Sequence, residues 1–268
     1  MYRSAKIAML FVVLATGLSC GAAATPAATT PATASDPNAL EKVLQNLEAK
    51  ANELKSYQVN MDYVFKQPLL ESQQRRTGIL YYAKFDKKSF LRIDFNTLQQ
   101  DEEKQQTYKQ QYFFDGVWLL EVDYRLETAT RRQLAEPNQP LDALSLASKH
   151  LPVLGFSKVE DLRKQFEIGL VPEPRAQAAG LDHLHLKVKP DSVYRDDYAT
   201  LDFWIDRKIG LPVRVEAVTP EEDVYEIKLT DPKVNAPLDR KLFQADIPRS
   251  FSVEAVPLAK RSEGKPPK

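Results

Sequence analysis

The chain has 268 residues, 43% of them hydrophobic, with 37 Lys and Arg against 37 Asp and Glu. That balance excludes a broad electrostatic surface for nucleic acid. A single cysteine, Cys20, excludes an internal disulfide and a cysteine-built metal or redox site, so the domain must rest on its own core, and the length is enough for one core to do so.

The first residues predict an export signal. Arg3 and Lys6 precede an unbroken apolar run over residues 7–18, and small residues follow at Ser19, Cys20 and Gly21. The run is short for a membrane span. Two cleavage chemistries are open. Ala22-Ala23-Ala24 offers an A-x-A site, which makes residues 1–24 a removed signal peptide. Gly17-Leu18-Ser19-Cys20 is similar to a lipobox, which makes Cys20 a lipidated N-terminus. Residues 25–36 are Ala/Thr/Pro-rich and predict a linker. Asp36-Pro37 then supplies an N-cap and an N1 proline for a helix reaching about Lys55, with Leu40, Val43, Leu44, Leu47, Ala51 and Leu54 on one face.

After the helix the period changes to two. Tyr57, Val59, Met61, Tyr63 and Phe65 alternate with Gln58, Asn60 and Asp62, and residues 78–85 and 90–95 continue as strands around an Asp86-Lys87-Lys88 turn. Residues 98–109 are polar and glutamine-rich, which predicts an extended loop or hairpin tip. Asp115-Gly116 marks a tight turn inside a meander over residues 112–134. Its middle strand carries Trp118, Leu120, Val122 and Tyr124 on one side and Glu121 and Asp123 on the other. The carboxylates would be costly to bury, so the apolar side is expected to face inward. Residues 137–166 are the one later stretch without strand character. Leu141, Leu144, Ala147 and Leu151 would share a helix face, residues 159–166 would form a second short helix, and Pro152 and Gly155 separate the two. Strands then resume at 166–171, 184–188, 201–205, 212–218 and 224–230. The basic, proline-rich end, residues 257–268, predicts a solvated tail. The order of elements predicts α+β, a large curved antiparallel sheet with helices on its concave side.

The chemistry-bearing clusters are weak. His183 and His185 stand on one strand face beside Asp182, but Lys187 and Lys189 flank them and no third ligand is placed, so no metal is expected. Asp196-Asp197 and Glu221-Glu222-Asp223 occupy loop-like positions and predict solvated turns. G-x-S-x-G, H-E-x-x-H and P-loop patterns are absent. Neither an enzyme nor a cofactor is expected.

Four motifs in order resemble the LolA-type lipoprotein carriers. They are LEAKANELKSYQVNMDYVF at 47–65, GILYYAKFDKKSFLRIDF at 78–95, FFDGVWLLEVDYRLETATRRQL at 113–134, and PLDRKLFQADIP at 237–248. HLPVLGF at 150–156 and YATLDFWIDRKIGLPVRV at 198–215 are similar to segments of long LolA-like proteins. The chain departs from the carriers in its polar insertions near 68–75 and 98–109. It also has no clean match, among Lys84, Lys87 and Lys88, for the basic residue that pins the carriers' lid.

The resemblance implies an unclosed antiparallel half-barrel over residues 37–256, with an N-terminal helix and a helical lid over a concave apolar face. It implies acyl chains of lipid or lipoprotein as ligands and envelope membrane proteins as partners. It also implies a monomer located in the periplasm, free or anchored through Cys20. The residues expected against the acyl chains are Met61, Tyr63, Phe65, Tyr81, Trp118, Leu120, Val122 and Tyr124 on strands, and Leu144 and Leu151 on the lid. The alternative is a membrane-tethered, non-enzymatic sensor or protein-binding scaffold on the same fold.

Overall fold

The structure, a computed structural model, describes residues 37–86, 88–143 and 158–258. The expected signal, linker, residues 144–157 of the lid segment and the tail from residue 259, with Cys20, Leu144 and Leu151, lie outside the described residues.

The leading helix forms as its pattern demands. α1 (Pro37–Glu53) buries Leu44, Leu47 and Ala51 at steps of three and four. Six strands follow as consecutive hairpins: β1 (Ser56–Gln67), β2 (Ser72–Phe85), β3 (Lys88–Gln100), β4 (Gln106–Phe114), β5 (Trp118–Asp123) and β6 (Thr128–Gln133). The glutamine-rich stretch is therefore a hairpin tip, with β3 and β4 running far into it. At the Asp115-Gly116 turn, Asp115 Oδ1 accepts from the Val117 and Trp118 amides at 2.9 and 2.7 Å, and Gly116 takes the positive φ of 93°.

The second half holds α2 (Val159–Gln165), β7 (Phe166–Val171), α3 (Pro174–Ala178), β8 (Leu181–Val188), β9 (Thr200–Asp206), β10 (Leu211–Val218) and β11 (Val224–Val234). A last strand, β12 (Ser252–Val256), and the short helix α3 have no clear signal in the sequence. Among the described residues no helix is long and apolar enough to cross a membrane.

The twelve strands of the described residues form one unclosed sheet in the order β12-β6-β5-β4-β3-β2-β1-β11-β10-β9-β8-β7. The α+β class and the open antiparallel sheet agree with the sequence-based expectation. The exception is β12, which pairs parallel to β6.

Directly paired residues share a face, so the registers define two surfaces. One row runs Leu229–Met61–Gly78–Phe95–Gln110–Asp123–Thr128 across β11, β1, β2, β3, β4, β5 and β6. This surface continues through Val215, Phe203 and Leu184, all fully buried, in the half of the sheet where α1 packs on β7 and β10. We call it the helix face. The opposite surface carries the row Tyr81–Arg92–Phe113–Leu120–Arg131.

That opposite surface is covered over β2–β6 by the chain after β11. Phe243, in a 3-10 turn over Arg240–Phe243, packs on Phe85 and Phe90 with ring centroids 5.8 and 5.9 Å apart. Arg92 Nη1 donates to the Leu242 carbonyl at 2.7 Å. Ala245, Ile247 and Phe251 then pack, together with Leu120 and Tyr124, on the cluster of Phe113, Val122 and Ala129, and β12 adds to the β6 edge. This crossing segment is a strap, and its surface is the strap face.

The faces of β5 therefore differ from the expectation. Trp118, Leu120, Val122 and Tyr124 lie on the strap face, and Glu121 and Asp123 lie on the helix face with Met61 and Tyr63. The carboxylates tolerate that side because polar partners from β4 meet them there.

One backbone contact holds the β2–β3 register. At Gly78 an added Cβ would stand 1.9 Å from the Asp94 carbonyl oxygen, beside the register shift between Thr77 and Gly78. Gly78→Ala is expected to lower stability by about 1–3 kcal/mol, read as a fall in the denaturant midpoint. An unchanged midpoint would show that the two strands do not approach this closely.

Candidate functional site

The helix face over β1–β5 is aromatic with a polar centre. Tyr63 and Phe95 approach at 6.1 Å, Phe95 and Tyr112 at 6.2 Å edge-on, and Phe65 stacks on Tyr225 at 4.7 Å. Met61, Tyr63, Phe95 and Tyr112 are buried, whereas Phe65 and Tyr225 are half-buried and form the open margin of the patch.

Arg76 lies at the centre, directly opposite Tyr63 on β1. Its guanidinium stands 5.2 Å from the Tyr108 ring centroid and 5.6 Å from that of Phe95. Nε donates to Gln74 Oε1 at 3.1 Å and Nη1 donates to Gln110 Oε1. The network continues outward, since Gln110 Nε2 and Tyr112 OH both donate to Glu121 Oε1, at 2.8 and 3.1 Å. Asp123, only 6% exposed, accepts from Tyr108 OH at 2.6 Å and from the amides of Arg125 and Leu126. Burial lowers the Arg76 pKa from its usual range. Burial first, and then the bond to Asp123, push Tyr108 up to about 12. These phenols remain protonated donors at neutral pH and hold no reactive phenolate.

Two hydroxyls on this face are unspent. Tyr57 and Tyr82 are paired across β1 and β2, and both OH groups are buried without a hydrogen-bond partner among the described residues. Burial raises both phenols, Tyr57 to about 12.

The structure brings together Met61, Tyr63 and Phe65 of the expected ligand wall. Tyr81, Trp118, Leu120, Val122 and Tyr124 lie on the strap face instead. Sequence reasoning missed Arg76, Phe95, Tyr108, Gln110 and Tyr112. The signal for Tyr108, Gln110 and Tyr112 was an i, i+2 alternation running into the segment that its glutamines made look like a loop.

The histidine pair sits elsewhere, on the opposite surface of β8. His183 Nε2 and His185 Nδ1 share Asp202 Oδ1 at 2.7 and 2.9 Å. His183 Nδ1 lies 2.9 Å from Glu173 Oε2 without hydrogen-bond geometry, and Trp204 Nε1 donates to that same oxygen at 2.9 Å. His183 stacks on Trp204 at 4.4 Å, and Arg214 covers the indole at 4.1 Å. Among the described residues no three His, Cys, Asp or Glu are placed to hold a metal ion. The pair works as an ion-paired surface ladder. Burial pushes Asp202 up, but the bonds from His183 and His185 outweigh it and hold the carboxyl below its ordinary range. The bond to Asp202 raises His185.

No family model matches the chain, and no curated protein matches its sequence. By structure it is similar to an uncharacterised conserved protein from Thermus thermophilus, at 11% identity and TM-score 0.48, over 81% of this chain and 99% of that one. It is also similar to the MucA/MucB complex of Pseudomonas aeruginosa, at 15% identity and TM-score 0.43, over 76% of this chain and 60% of that one. A third neighbour is a LolA superfamily protein from Nitrosomonas europaea, at 13% identity and TM-score 0.35, over 76% of this chain and 97% of that one.

Two outcomes follow from this geometry. A buried hydroxyl without a partner costs about 1 kcal/mol or more, so Tyr82→Phe is expected to raise the denaturant midpoint; a lowered midpoint would mean that the hydroxyl has a partner. His185 has a raised folded-state pKa. Its contribution is therefore complete below the unfolded value of about 6.5 and is lost as pH rises through the folded value. Stability is expected to fall as pH is raised from about 6.5, and His185→Gln is expected to flatten that slope, as followed by thermal melts across the range.

Proposed function

We propose that this protein is an exported envelope protein that holds the acyl chains of a lipid or lipoprotein against its helix face, as a carrier or chaperone and not as an enzyme. One observation carries the reading. The aromatic and aliphatic surface of the sheet extends over β1–β4, well beyond β7 and β10, where α1 packs. Each acyl methylene removed from water contributes about 0.8 kcal/mol, so such a surface binds without special chemistry.

Within this reading residues 1–24 direct export, 25–36 form the tether and 37–256 form the binding domain. Met61, Tyr63 and Phe65 contact the chains, with Phe65 and Tyr225 at the entrance. Leu144 and Leu151 act from the lid, and Cys20, if retained, anchors the protein. The unspent hydroxyls of Tyr57 and Tyr82 are donors for the ester or amide carbonyls at the head of an acyl chain.

The test is a fluorescent fatty-acid probe together with native mass spectrometry of the purified protein. Saturable probe binding and co-purified lipid are expected. Phe65→Ala is expected to weaken binding about tenfold, equivalent to about 1.4 kcal/mol, and Tyr124→Phe on the strap face is expected to leave it unchanged. Absence of both probe binding and bound lipid would remove the proposal.

A further inference from the structure

The ends of the strands carry a feature that the acyl-chain reading does not use. Five connections lie at one end of the sheet. Gln67 Nε2 bonds Asp223, which sets the β1–β2 tip beside the β10–β11 turn. The Gln73 amide bonds Asp101 at 2.7 Å, which sets the β3–β4 turn on the other side of that tip. The Ala199 amide bonds the Val218 carbonyl at 2.7 Å, bringing in the β8–β9 loop. The β5–β6 turn follows beyond Lys109, whose carbonyl accepts from the Tyr124 amide at 3.1 Å.

Four large apolar side chains stand in solvent on these connections. Leu69 is 75% exposed, Leu70 64%, Leu126 63% and Val193 73%. Leu69 and Leu70 are consecutive in a 3-10 turn, Pro68–Leu70, that buries none of its residues. Scattered exposed leucines are ordinary, but the adjacent pair Leu69-Leu70 marks a contact surface.

The charge beside Leu69 and Leu70 is mainly acidic: Lys66 and Arg75 at the strand ends are paired with Glu226 and Asp62, whereas Arg125 beside Leu126 and Lys189 and Arg195 around Val193 make the outer connections mixed. The β10–β11 turn presents Glu221, Glu222 and Asp223 without a base, and the β3–β4 turn presents Asp101, Glu102 and Glu103 against Lys104. The chain as a whole is neutral, so this acidity is local to the end of the sheet. Acidic groups beside apolar tips oppose an anionic lipid surface and favour a cationic one.

We propose that this end of the sheet docks a basic, apolar-bearing segment of another protein. The leucine tips enter its apolar side and the flanking carboxylates meet its lysines or arginines. The surface lies on strand ends, so the proposal stands or falls independently of the acyl-chain reading.

Three synthetic helical peptides test it against the purified protein: lysine with leucine, glutamate with leucine, and lysine with serine. The lysine–leucine peptide alone is expected to bind, with affinity falling about tenfold between low and high salt. Leu69→Ser with Leu70→Ser is expected to weaken it about tenfold, and Glu221→Gln with Glu222→Gln to weaken it and reduce its salt dependence. All four positions are exposed, and unchanged melting curves confirm that the variants fold. Binding that is unaffected by both double variants would overturn the proposal. It would equally be overturned if phosphatidylglycerol vesicles bound through Leu69 and Leu70 while the peptide did not.

Discussion

The controlling constraint is that the sheet is apolar on both sides across β2–β4. Leu80, Ile93, Phe95 and Phe114 face one way, and Phe85, Phe90 and Phe113 face the other. A sheet of this kind needs two covers, because each fully buried apolar side chain is worth about 1.5–3 kcal/mol over exposure. The strap supplies the second cover. Its attachments are spread along its length: the Leu242 carbonyl on Arg92, Phe243 against Phe85 and Phe90, and Phe251 edge-on to Tyr124 at 5.4 Å. Its last turn is tied by the Ser252 amide to the Glu127 carbonyl at 2.9 Å, which places β12 alongside β6 in the parallel sense.

The strap stops where the need stops. Over β8–β11 and into β1 the same surface is a charged ladder, with cross-strand neighbours His183–Trp204–Arg214–Lys228–Asp62, and Asp62 is ion-paired diagonally with Arg75 at 2.6 Å. Glu226 receives Lys66, Arg214 and Lys228, and these outweigh its burial and hold its carboxyl below the ordinary range. Such a surface is content in water. The two halves of one sheet are thus finished by different means, a peptide cover on one and ion pairing on the other, and α1 with α2 serves the face opposite the ladder.

Much of this was legible in the sequence because alternation is a local signal. The spacing of Leu44, Leu47 and Ala51 announces α1, and the alternations beginning at Tyr57 and Val224 announce β1 and β11. Alternation divides a strand into two sets but does not say which set points to which cover. For β5 the cost of burying Glu121 and Asp123 decided the assignment, and it decided it wrongly. Tyr108, Gln110 and Tyr112, which satisfy those carboxylates, belong to another strand, and only the pairing register reveals them. The pairing of β12 is invisible for the same reason. Ser252–Val256 is mostly exposed and lacks a strong strand pattern, so its place depends on where the strap delivers it.

Buried polar groups then acquire a structural meaning that apolar patterning alone misses. Arg76, Gln110, Glu121 and Tyr112 link β2, β4 and β5 through one connected network on the helix face. A one-residue slip of β4 against β3 would carry Gln110 and Tyr112 to the strap face, leave Glu121 without these two donors and take Tyr108 from Asp123, at a cost of about 1–3 kcal/mol for each orphaned group. The apolar residues would resist such a slip less, because both faces accept Phe and Tyr. In a sheet greasy on both sides, hydrophobicity drives the assembly while the polar cluster specifies the register. An acyl ligand placed on the helix face would therefore lie on a surface whose geometry is set by the residues least like the ligand.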